Sequence, residues 1–396
     1  MAEWNITKLG DICEITRGGS PRPIINYITN QPNGVNWLKI GDVNETDKYF
    51  AKSQEKIKPE GIPKTRKVVK GDLILSNSMS FGRAFITLID GYIHDGWLRL
   101  RPDETVINKE YLYYFLTSNL AQNQFKAVAT GSVVNNLKSD TVKTLDILLP
   151  SLELQKKIIS ILATIDNKII ENEKINDNLL QQLNTFYTRF FIENDQPRKV
   201  CKVDEYFDIS IGKTPPRKEQ HWFTYNPKDV VWISISDMGK CGTYIDNSSE
   251  YLTQEAVDKY NVCVIPDNTI ILSFKLTVGR IAITSGLTTT NEAIAHFKTN
   301  NKEINPYLYC FLKNYKFQML GSTSSIATAL NSKIIKDIKF IVPNDDELNA
   351  FNELAIPILT TIKIKETEVK QLTKLRDSLL TKLMSGEIDV SNLKIE

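Results

Sequence analysis

The sequence has few cysteines, few histidines and no long hydrophobic run. Its five cysteines form no C-x-x-C pair and have no histidine at ligand spacing, which predicts reduced thiols and neither disulfides nor a zinc site. Apolar runs end after a handful of residues, and the start MAEWNITKLGD has no basic segment before a hydrophobic core, so neither export nor a membrane span is indicated. We therefore expect a cytoplasmic protein without a metal or a cofactor.

Motifs of catalysis are also scarce. The tripeptide GKT that starts at Gly212 lacks the upstream glycine of a phosphate-binding loop, because Phe207 stands at that position. No G-x-G-x-x-G follows a predicted strand, and no Asn-Pro-Pro-aromatic element of an amino-methyltransferase is found. The three histidines are not paired in sequence with a nucleophile and a carboxylate. These observations argue against an enzyme, and the net charge of +2 does not by itself indicate nucleic acid.

The sequence repeats itself. SNSMSFGRAFIT at residues 76–87 returns as SFKLTVGRIAIT at 273–284, and ITRGGSP at 15–21 returns as ISIGKTP at 209–215. VNWLKIGDV returns as VVWISISDM, YLYYFL returns as YLYCFL, and NLKSDTVKTLDILLP returns as ALNSKIIKDIKFIVP. Self-similarity at a nearly fixed offset indicates one fold duplicated in tandem, with small loop insertions between the copies.

Each copy has the same predicted elements. Short β-type runs separated by turn residues surround one compact helix, near residues 111–125 in the first half and 306–320 in the second. A long helical segment then follows in each half, with seam positions spaced alternately four and three residues apart, as in a coiled coil. Asn172 and Asn176 occupy the centre of the first seam, and Pro357 in the second predicts a kink or a late helix start.

This arrangement resembles the specificity subunit of type I restriction-modification systems. The likeness rests on the repeated L-S-(x)n-G-R-(x)n-I-T stretch, the helix LLPSLELQKKIISILATIDNKI and the ending LRDSLLTKLMSGEI. It implies an α+β fold with two tandem target recognition domains, each a mixed β-sheet with short helices, joined by two long antiparallel coiled-coil helices in pseudo-two-fold symmetry. The expected segments are recognition domains at 1–150 and 197–343 and spacer helices at 151–196 and 344–396.

The resemblance also implies partners. In that family each recognition domain reads one part of a split site in double-stranded DNA, and the helices set the distance between the parts. The subunit carries two methyltransferase subunits, and restriction subunits with motor and nuclease activities complete the complex. Catalysis is therefore expected in the partners and not in this chain.

The residues themselves indicate where DNA would bind. Phosphates require cations, and base edges require side chains that donate or accept hydrogen bonds. Residues that the halves share are expected to brace the fold or contact phosphates, and residues that differ are expected to read bases. The candidate DNA-binding residues are Arg17, Ser20, Arg22, Asn77, Ser78, Ser80, Arg83, Asn135, Asn136, Lys138, Lys213, Thr214, Arg217, Lys218, Lys275, Thr277, Arg280, Asn331 and Lys333.

Two alternatives remain open at this stage. A self-contained enzyme would methylate or cut DNA as the purified chain alone. A coiled-coil scaffold without DNA affinity would fail to shift a random duplex at low salt.

Overall fold

A computed structural model describes residues 4–44, 47–78, 81–129, 137–194, 196–317 and 330–393. The chain divides into two units, of which unit 1 comprises Met1–Lys168 with Gln371–Glu396, and unit 2 comprises Ile169–Lys370. Each unit therefore contains a set of strands and parts of both long helices.

Unit 1 is built from two five-stranded sheets and a two-stranded ribbon. Its strands are β1 (Asn5–Lys8), β2 (Cys13–Arg17), β3 (Ile28–Thr29), β4 (Val35–Leu38), β5 (Tyr49–Phe50), β6 (Glu55–Ile57), β7 (Arg66–Val68), β8 (Leu73–Ser76), β9 (Ala84–Thr87), β10 (Gly91–Ile93), β11 (Trp97–Pro102) and β12 (Asp146–Leu149). Its short helices are α1 (Leu9–Ile12), α2 (Lys109–Thr117), α3 (Asn119–Ala129) and α4 (Ser139–Lys143), and the long helix α5 (Leu152–Tyr187) starts in this unit. The sheet orders are β3-β6-β4-β10-β7 and β2-β11-β8-β9-β5, and β1 pairs with β12.

Unit 2 repeats this topology, except that its second sheet has four strands instead of five. Its strands are β13 (Val200–Lys202), β14 (Asp208–Ile211), β15 (Phe223–Thr224), β16 (Val230–Ile233), β17 (Tyr244–Ile245), β18 (Tyr251–Leu252), β19 (Ile270–Ser273), β20 (Ile281–Thr284), β21 (Thr289–Thr290), β22 (Ile294–Lys298) and β23 (Lys339–Ile341). Its helices are α6 (Val203–Tyr206), α7 (Ile235–Met238), α8 (Gln254–Lys259), α9 (Asn305–Asn314), α10 (Ser332–Lys336) and the start of the long helix α11 (Asp345–Met384). The sheet order β14-β22-β19-β20-β17 matches β2-β11-β8-β9-β5, and β13 pairs with β23 as β1 pairs with β12. The predicted duplication is confirmed.

The central strands explain why the halves fold alike. Every residue of β8, β9, β19 and β20 is buried, as expected for apolar strands that are covered on both faces. In both units a tyrosine then ties the following helix to the closing ribbon. The hydroxyl of Tyr111 donates to the Leu148 carbonyl at 2.8 Å, and that of Tyr307 donates to the Ile341 carbonyl at 2.6 Å.

The two long helices run antiparallel within each unit. In unit 1, Leu162 near the start of α5 shares a core with Leu383 near the end of α11. In unit 2, Leu183 near the end of α5 shares a core with Phe351 near the start of α11. The predicted antiparallel pairing is thus confirmed.

The structure corrects two expectations about the helices. A kink or a late helix start was expected at Pro357, and the late start is wrong, because α11 begins at Asp345 and continues through this proline. The compact helix expected near 111–125 is two helices, α2 and α3, because Ser118 ends the first in an extended conformation. The seam asparagines are buried as expected of core positions, with Asn172 at 0% and Asn176 at 8% exposure.

The end of α5 is fixed by an ion pair that the sequence pattern did not reveal. A π-helical turn, Thr188–Ile192, extends α5, and the Arg198 guanidinium donates to the carbonyls of Phe190 and Phe191, both at 3.0 Å. The same guanidinium donates to both carboxylate oxygens of Glu347, at 2.9 and 2.8 Å, in the first turn of α11. This bidentate contact holds the pKa of Glu347 below its ordinary value.

Candidate nucleic-acid interface

The strand order brings three predicted loops of unit 1 to one edge of a sheet. Arg17 at the end of β2 pairs with Leu98, and Ser76 at the end of β8 pairs with Trp97 at the start of β11. The segments 18–23, 77–78 and 94–96 therefore leave the sheet side by side. The backbone amide of Gly18 donates to the Trp97 carbonyl, and that of Asn77 donates to the Gly96 carbonyl, both at 2.9 Å. We call this surface the loop edge of unit 1.

Asp95 is the centre of this edge. Its carboxylate accepts hydrogen bonds from Ser20 at 2.6 Å and Arg22 at 3.0 Å, and its backbone carbonyl accepts from Arg17 and Asn77, both at 3.0 Å. Burial works to raise the pKa of Asp95, but the Ser20 hydroxyl and the Arg22 charge outweigh it and hold the pKa below its ordinary value. Four predicted residues thus meet at one residue that the sequence analysis missed.

Unit 2 builds the same edge from β14, β19 and β22. Gly212 donates its backbone amide to the Ile294 carbonyl at 3.1 Å, and Phe274 donates to the Ala293 carbonyl at 2.9 Å. The Thr214 hydroxyl donates to the carboxylate of Glu292. Since Glu292 holds the position of Asp95 in the repeat, each loop edge contains one hydroxyl–carboxylate pair. We call these contacts the Ser20–Asp95 and Thr214–Glu292 pairs.

The glycines that the halves share allow the loops to approach. A Cβ atom on Gly18 would lie 2.1 Å from the His94 carbonyl oxygen, and one on Gly212 would lie 2.2 Å from the Asn291 carbonyl oxygen. No real Cβ atom tolerates such a distance, so a larger residue at either position would push the loops apart. The glycine at this position therefore allows the close contact between neighbouring loops in both units.

Other predicted residues of unit 2 divide into held and exposed side chains. Arg217 donates to both oxygens of Glu250, at 3.1 and 2.9 Å, and its guanidinium lies 4.1 Å from the ring centroid of Phe223. Its charge is thus already paired. The remaining loop-edge candidates of this unit are exposed or partly exposed, and they are Lys213, Lys218, Lys275 and Thr277.

The two equivalent arginines, Arg83 and Arg280, lie in different surroundings. Arg280 donates to the Ile235 carbonyl at 2.5 Å, whereas Nε and Nη2 of Arg83 are buried without a hydrogen-bond partner. Arg83 lines a cavity of about 360 Å³ within unit 1, together with Tyr113, Gln122 and Arg376 among others. The glycine before each arginine has a positive φ, which makes the turn that places them.

Leu137 and Lys138, just before α4, also lie at the edge of unit 1. The Leu137 backbone amide donates to the Asn77 carbonyl at 2.8 Å, so the exposed Lys138, at the start of α4, lies close to the edge. At the corresponding place in unit 2, Asn331 caps α10 by accepting from the Ile334 amide at 2.9 Å. Two more candidates, Ser78 and Lys333, are partly exposed and exposed, respectively. Ser80, Asn135 and Asn136 lie outside the described residues.

His296 is fully buried between the hydroxyls of Ser210 and Thr290, and burial lowers its pKa to about 4. In the described parts of the chain, no group of three or more histidine, cysteine, aspartate or glutamate residues is placed to hold a metal ion. The helices described there also include none with the length and apolarity that a bilayer span requires.

Comparisons with known proteins match both halves. A family model described as the type I restriction modification DNA specificity domain matches residues 1–181 and again 197–376. The chain is 24% identical to the type I restriction enzyme MjaIX specificity subunit of Methanocaldococcus jannaschii, over 99% of this chain and 95% of that protein. It is 22% identical to the HindI specificity subunit of Haemophilus influenzae, over 98% of this chain and 100% of that protein. Its fold is similar to that of the S subunit of a type I restriction-modification system from M. genitalium, with a TM-score of 0.55, 16% identity and 96% of each chain covered.

Proposed function

The chain belongs to the family of type I restriction-modification DNA specificity subunits, and we propose that each of its units reads one half of a split target in double-stranded DNA. The observation that supports this most is the duplicated loop edge. Both edges have the same backbone frame and the same hydroxyl–carboxylate pair, yet the side chains around them differ. Equal frames with different side chains are what two readers of two different sequences require.

The specificity subunits of this family are not catalytic, and the catalysis lies in partner subunits. We propose that this chain carries two methyltransferase subunits and directs them, together with restriction subunits, to its target in the cytoplasm. Exposed cations on the loop edges, such as Lys213 and Lys218, suit phosphate contacts, since neutralised phosphates supply most of the sequence-independent affinity for DNA. Nothing observed in either unit favours a scaffold without DNA affinity.

Exchanging residues 197–343 for the equivalent segment of another specificity subunit tests this function. The methylated sites in the host genome are expected to change in one half of the target and keep the other half and the spacer. The unmodified chain, expressed in the same host, is the control. If both halves of the target changed, or neither, the two units would not be independent readers.

The long helices are proposed to set the spacer between the half-sites. Removing one heptad from α5 between Asn172 and Leu179, with a matching heptad from α11 between Lys365 and Leu372, shortens the helices by about 10.5 Å and keeps the seams in phase. The spacer should then shrink by about three base pairs, at 3.4 Å for each pair, while both half-sites stay the same.

Methylation-site sequencing measures the spacer. A control that removes three residues from each helix puts the seams out of phase, and we expect it to lose stability rather than change the spacer. An unchanged spacer in a folded heptad variant would refute the role of the helices as a ruler.

Arg83 and Arg280 are expected to contact phosphates. Replacing Arg83 by alanine should weaken binding to all sequences alike and reduce the slope of log K against log salt by about one unit. Arg280→Ala should have the same effect and should also lower thermal stability, because the Ile235 carbonyl loses its donor. Arg83→Lys keeps the charge and serves as the control. A slope that stays the same in a variant with an intact circular dichroism spectrum would contradict the phosphate contact.

A further inference from the structure

Leu276 has a conformation that a leucine rarely adopts. It lies in the turn between β19 and β20, its side chain is 94% exposed, and its φ angle is +59°. The other non-glycine residues with positive φ in the described part of the chain are Asn261 and Asn268. Asparagine tolerates this region, whereas a bulky apolar residue is strained there. The turn therefore combines an unfavourable backbone with an apolar side chain in water.

The base of the turn keeps it in place. Ser273 is fully buried, its hydroxyl donates to the Thr277 carbonyl at 2.6 Å, and it accepts from the Arg280 amide at 3.0 Å. The Gly279 amide donates to the Ser273 carbonyl at 3.0 Å. Phe274, on the other side, is buried. With both ends of the turn anchored, Leu276 stays at the tip and points away from the core.

The position of the tip indicates its partner. Leu276 lies on the loop edge of unit 2 between Lys275 and Thr277, which suit contacts to phosphate and to base edges. An apolar side chain among such groups fits the apolar parts of DNA, which are the thymine methyl group in the major groove and the faces of the bases at an opened step. The first half of the sequence has Met79 at the corresponding place, so both copies have a long apolar side chain there.

Resting on the proposed function of unit 2 as a DNA reader, we propose that Leu276 is a specificity-determining residue that contacts a base of the second half-site through its apolar side chain. The strain at its backbone is then retained because the base contact requires a side chain at that point. Glycine would relieve the strain but would remove the contact.

The test uses the full chain and a duplex with the target identified from methylated host sites. Leu276→Ala is expected to weaken binding to this duplex by about tenfold to one-hundredfold, the effect of losing a few buried methylene groups, and to leave binding to an unrelated duplex unchanged. Leu276→Gly should lose the same affinity while its thermal midpoint stays equal or rises, because glycine accepts the positive φ. Leu276→Met, which copies the first half, should retain most of the affinity.

Leu287→Ala is the matched control. Leu287 is also highly exposed, at 72%, but it lies in the turn after β20, at the opposite end of the sheet from Ser273. This variant should bind the target as the unmodified chain does.

Two modified duplexes define the contact. Deoxyuridine in place of single thymines weakens binding of the unmodified chain, but not of Leu276→Ala, if Leu276 contacts a methyl group. The second duplex carries 2-aminopurine in the second half-site. If the unmodified chain raises its fluorescence on binding and Leu276→Ala does not, Leu276 inserts between bases. Equal target affinity of Leu276→Ala and the unmodified chain would overturn the inference, and so would an equal loss on the unrelated duplex. The unmodified chain distinguishes this failure from a failure of the proposed function. If the unmodified chain binds the target and the unrelated duplex equally, the proposed function fails. If it prefers the target and Leu276→Ala does so equally, only the inference about Leu276 fails.

Discussion

Replacing Asp166 by alanine is expected to lower the free energy of unfolding of unit 1 by about 3 kcal/mol, because it removes the buried carboxylate beside Lys48 and leaves Lys48 and Arg376 only the more exposed carboxylates of Glu110 and Asp377. The Asp166 carboxylate accepts from the Tyr114 hydroxyl at 2.6 Å and from Arg376 at 3.3 Å, and it lies 3.6 Å from the Lys48 ammonium. The side chains of Asp166 and Lys48 are only 7% and 8% exposed. Water therefore cannot replace the lost carboxylate fully.

Thermal and urea denaturation of the full chain measure this effect. The control is Glu387→Ala, which removes an exposed ion pair with Lys382 at 3.3 Å in the same unit and should change stability by no more than about 1 kcal/mol. An Asp166→Ala chain that unfolds like the control would contradict the importance of the buried pair.

The equivalent residues of unit 2 suggest how the stability lost in Asp166→Ala can be recovered. It has Thr243, Cys310, Leu359 and Leu183 where unit 1 has Lys48, Tyr114, Asp166 and Arg376. Copying these four residues into unit 1 should recover much of the stability, since a buried ionic cluster is often replaced by apolar residues without loss. The polar cluster is therefore not required for the fold, although removing one member is costly.

A chain that ends at Gln196 is expected to form a dimer with a palindromic target. It contains the first reader and α5, but it lacks the part of α11 that shares a core with Leu162. Exposed apolar surface of this kind favours association, and a second copy can cover it by pairing antiparallel around a two-fold axis. The dimer would present the first reader twice, so its target should be the first half-site, a spacer and the inverted repeat.

The buried cluster refines this expectation. In such a dimer, Leu183 of one copy takes the place of Arg376 beside Asp166 of the other, so the ion pair is lost. Leu183→Arg should restore it and tighten the dimer by about tenfold or more, as expected for charged hydrogen bonds of about 1.5–3 kcal/mol. Sedimentation measures the dimer, and sequencing of methylated sites measures the target. A monomer, or a dimer whose sites have no inverted repeat, would show that the halves are not equivalent units.

Much of the fold was predictable from the sequence because it depends on repetition and periodicity. The duplicated motifs predicted two copies of one topology, and the spacing of Ile158, Leu162 and Leu183 predicted a buried helix face. The break at Ser118 was not predicted, because the apolar pattern continues through it and only the backbone conformation ends the helix. Of the kink or late helix start predicted at Pro357, the late start is wrong, because α11 begins twelve residues earlier and continues through the proline.

The candidate site was less predictable. Loop residues were chosen by their side-chain chemistry, and the strand order does bring Ser20 and Asn77 together. The sequence analysis missed Asp95 and Glu292, because it selected cations and hydrogen-bonding side chains that suit DNA and passed over carboxylates. The folded loops show that Asp95 accepts from Ser20 and Arg22 and that Glu292 accepts from Thr214. Arg217 looked like a free cation in the sequence, while its partner Glu250 is distant along the chain.

The division of the chain into units has a consequence for synthesis on the ribosome. Unit 2 is one uninterrupted stretch, Ile169–Lys370, whereas unit 1 needs both Met1–Lys168 and Gln371–Glu396. All of unit 2 has therefore been translated before the part of α11 that belongs to unit 1 has been made. Until then Ile158 and Leu162 lack the side chains of Leu380 and Leu383 that share their core. The half that is translated first is thus the half that is completed last.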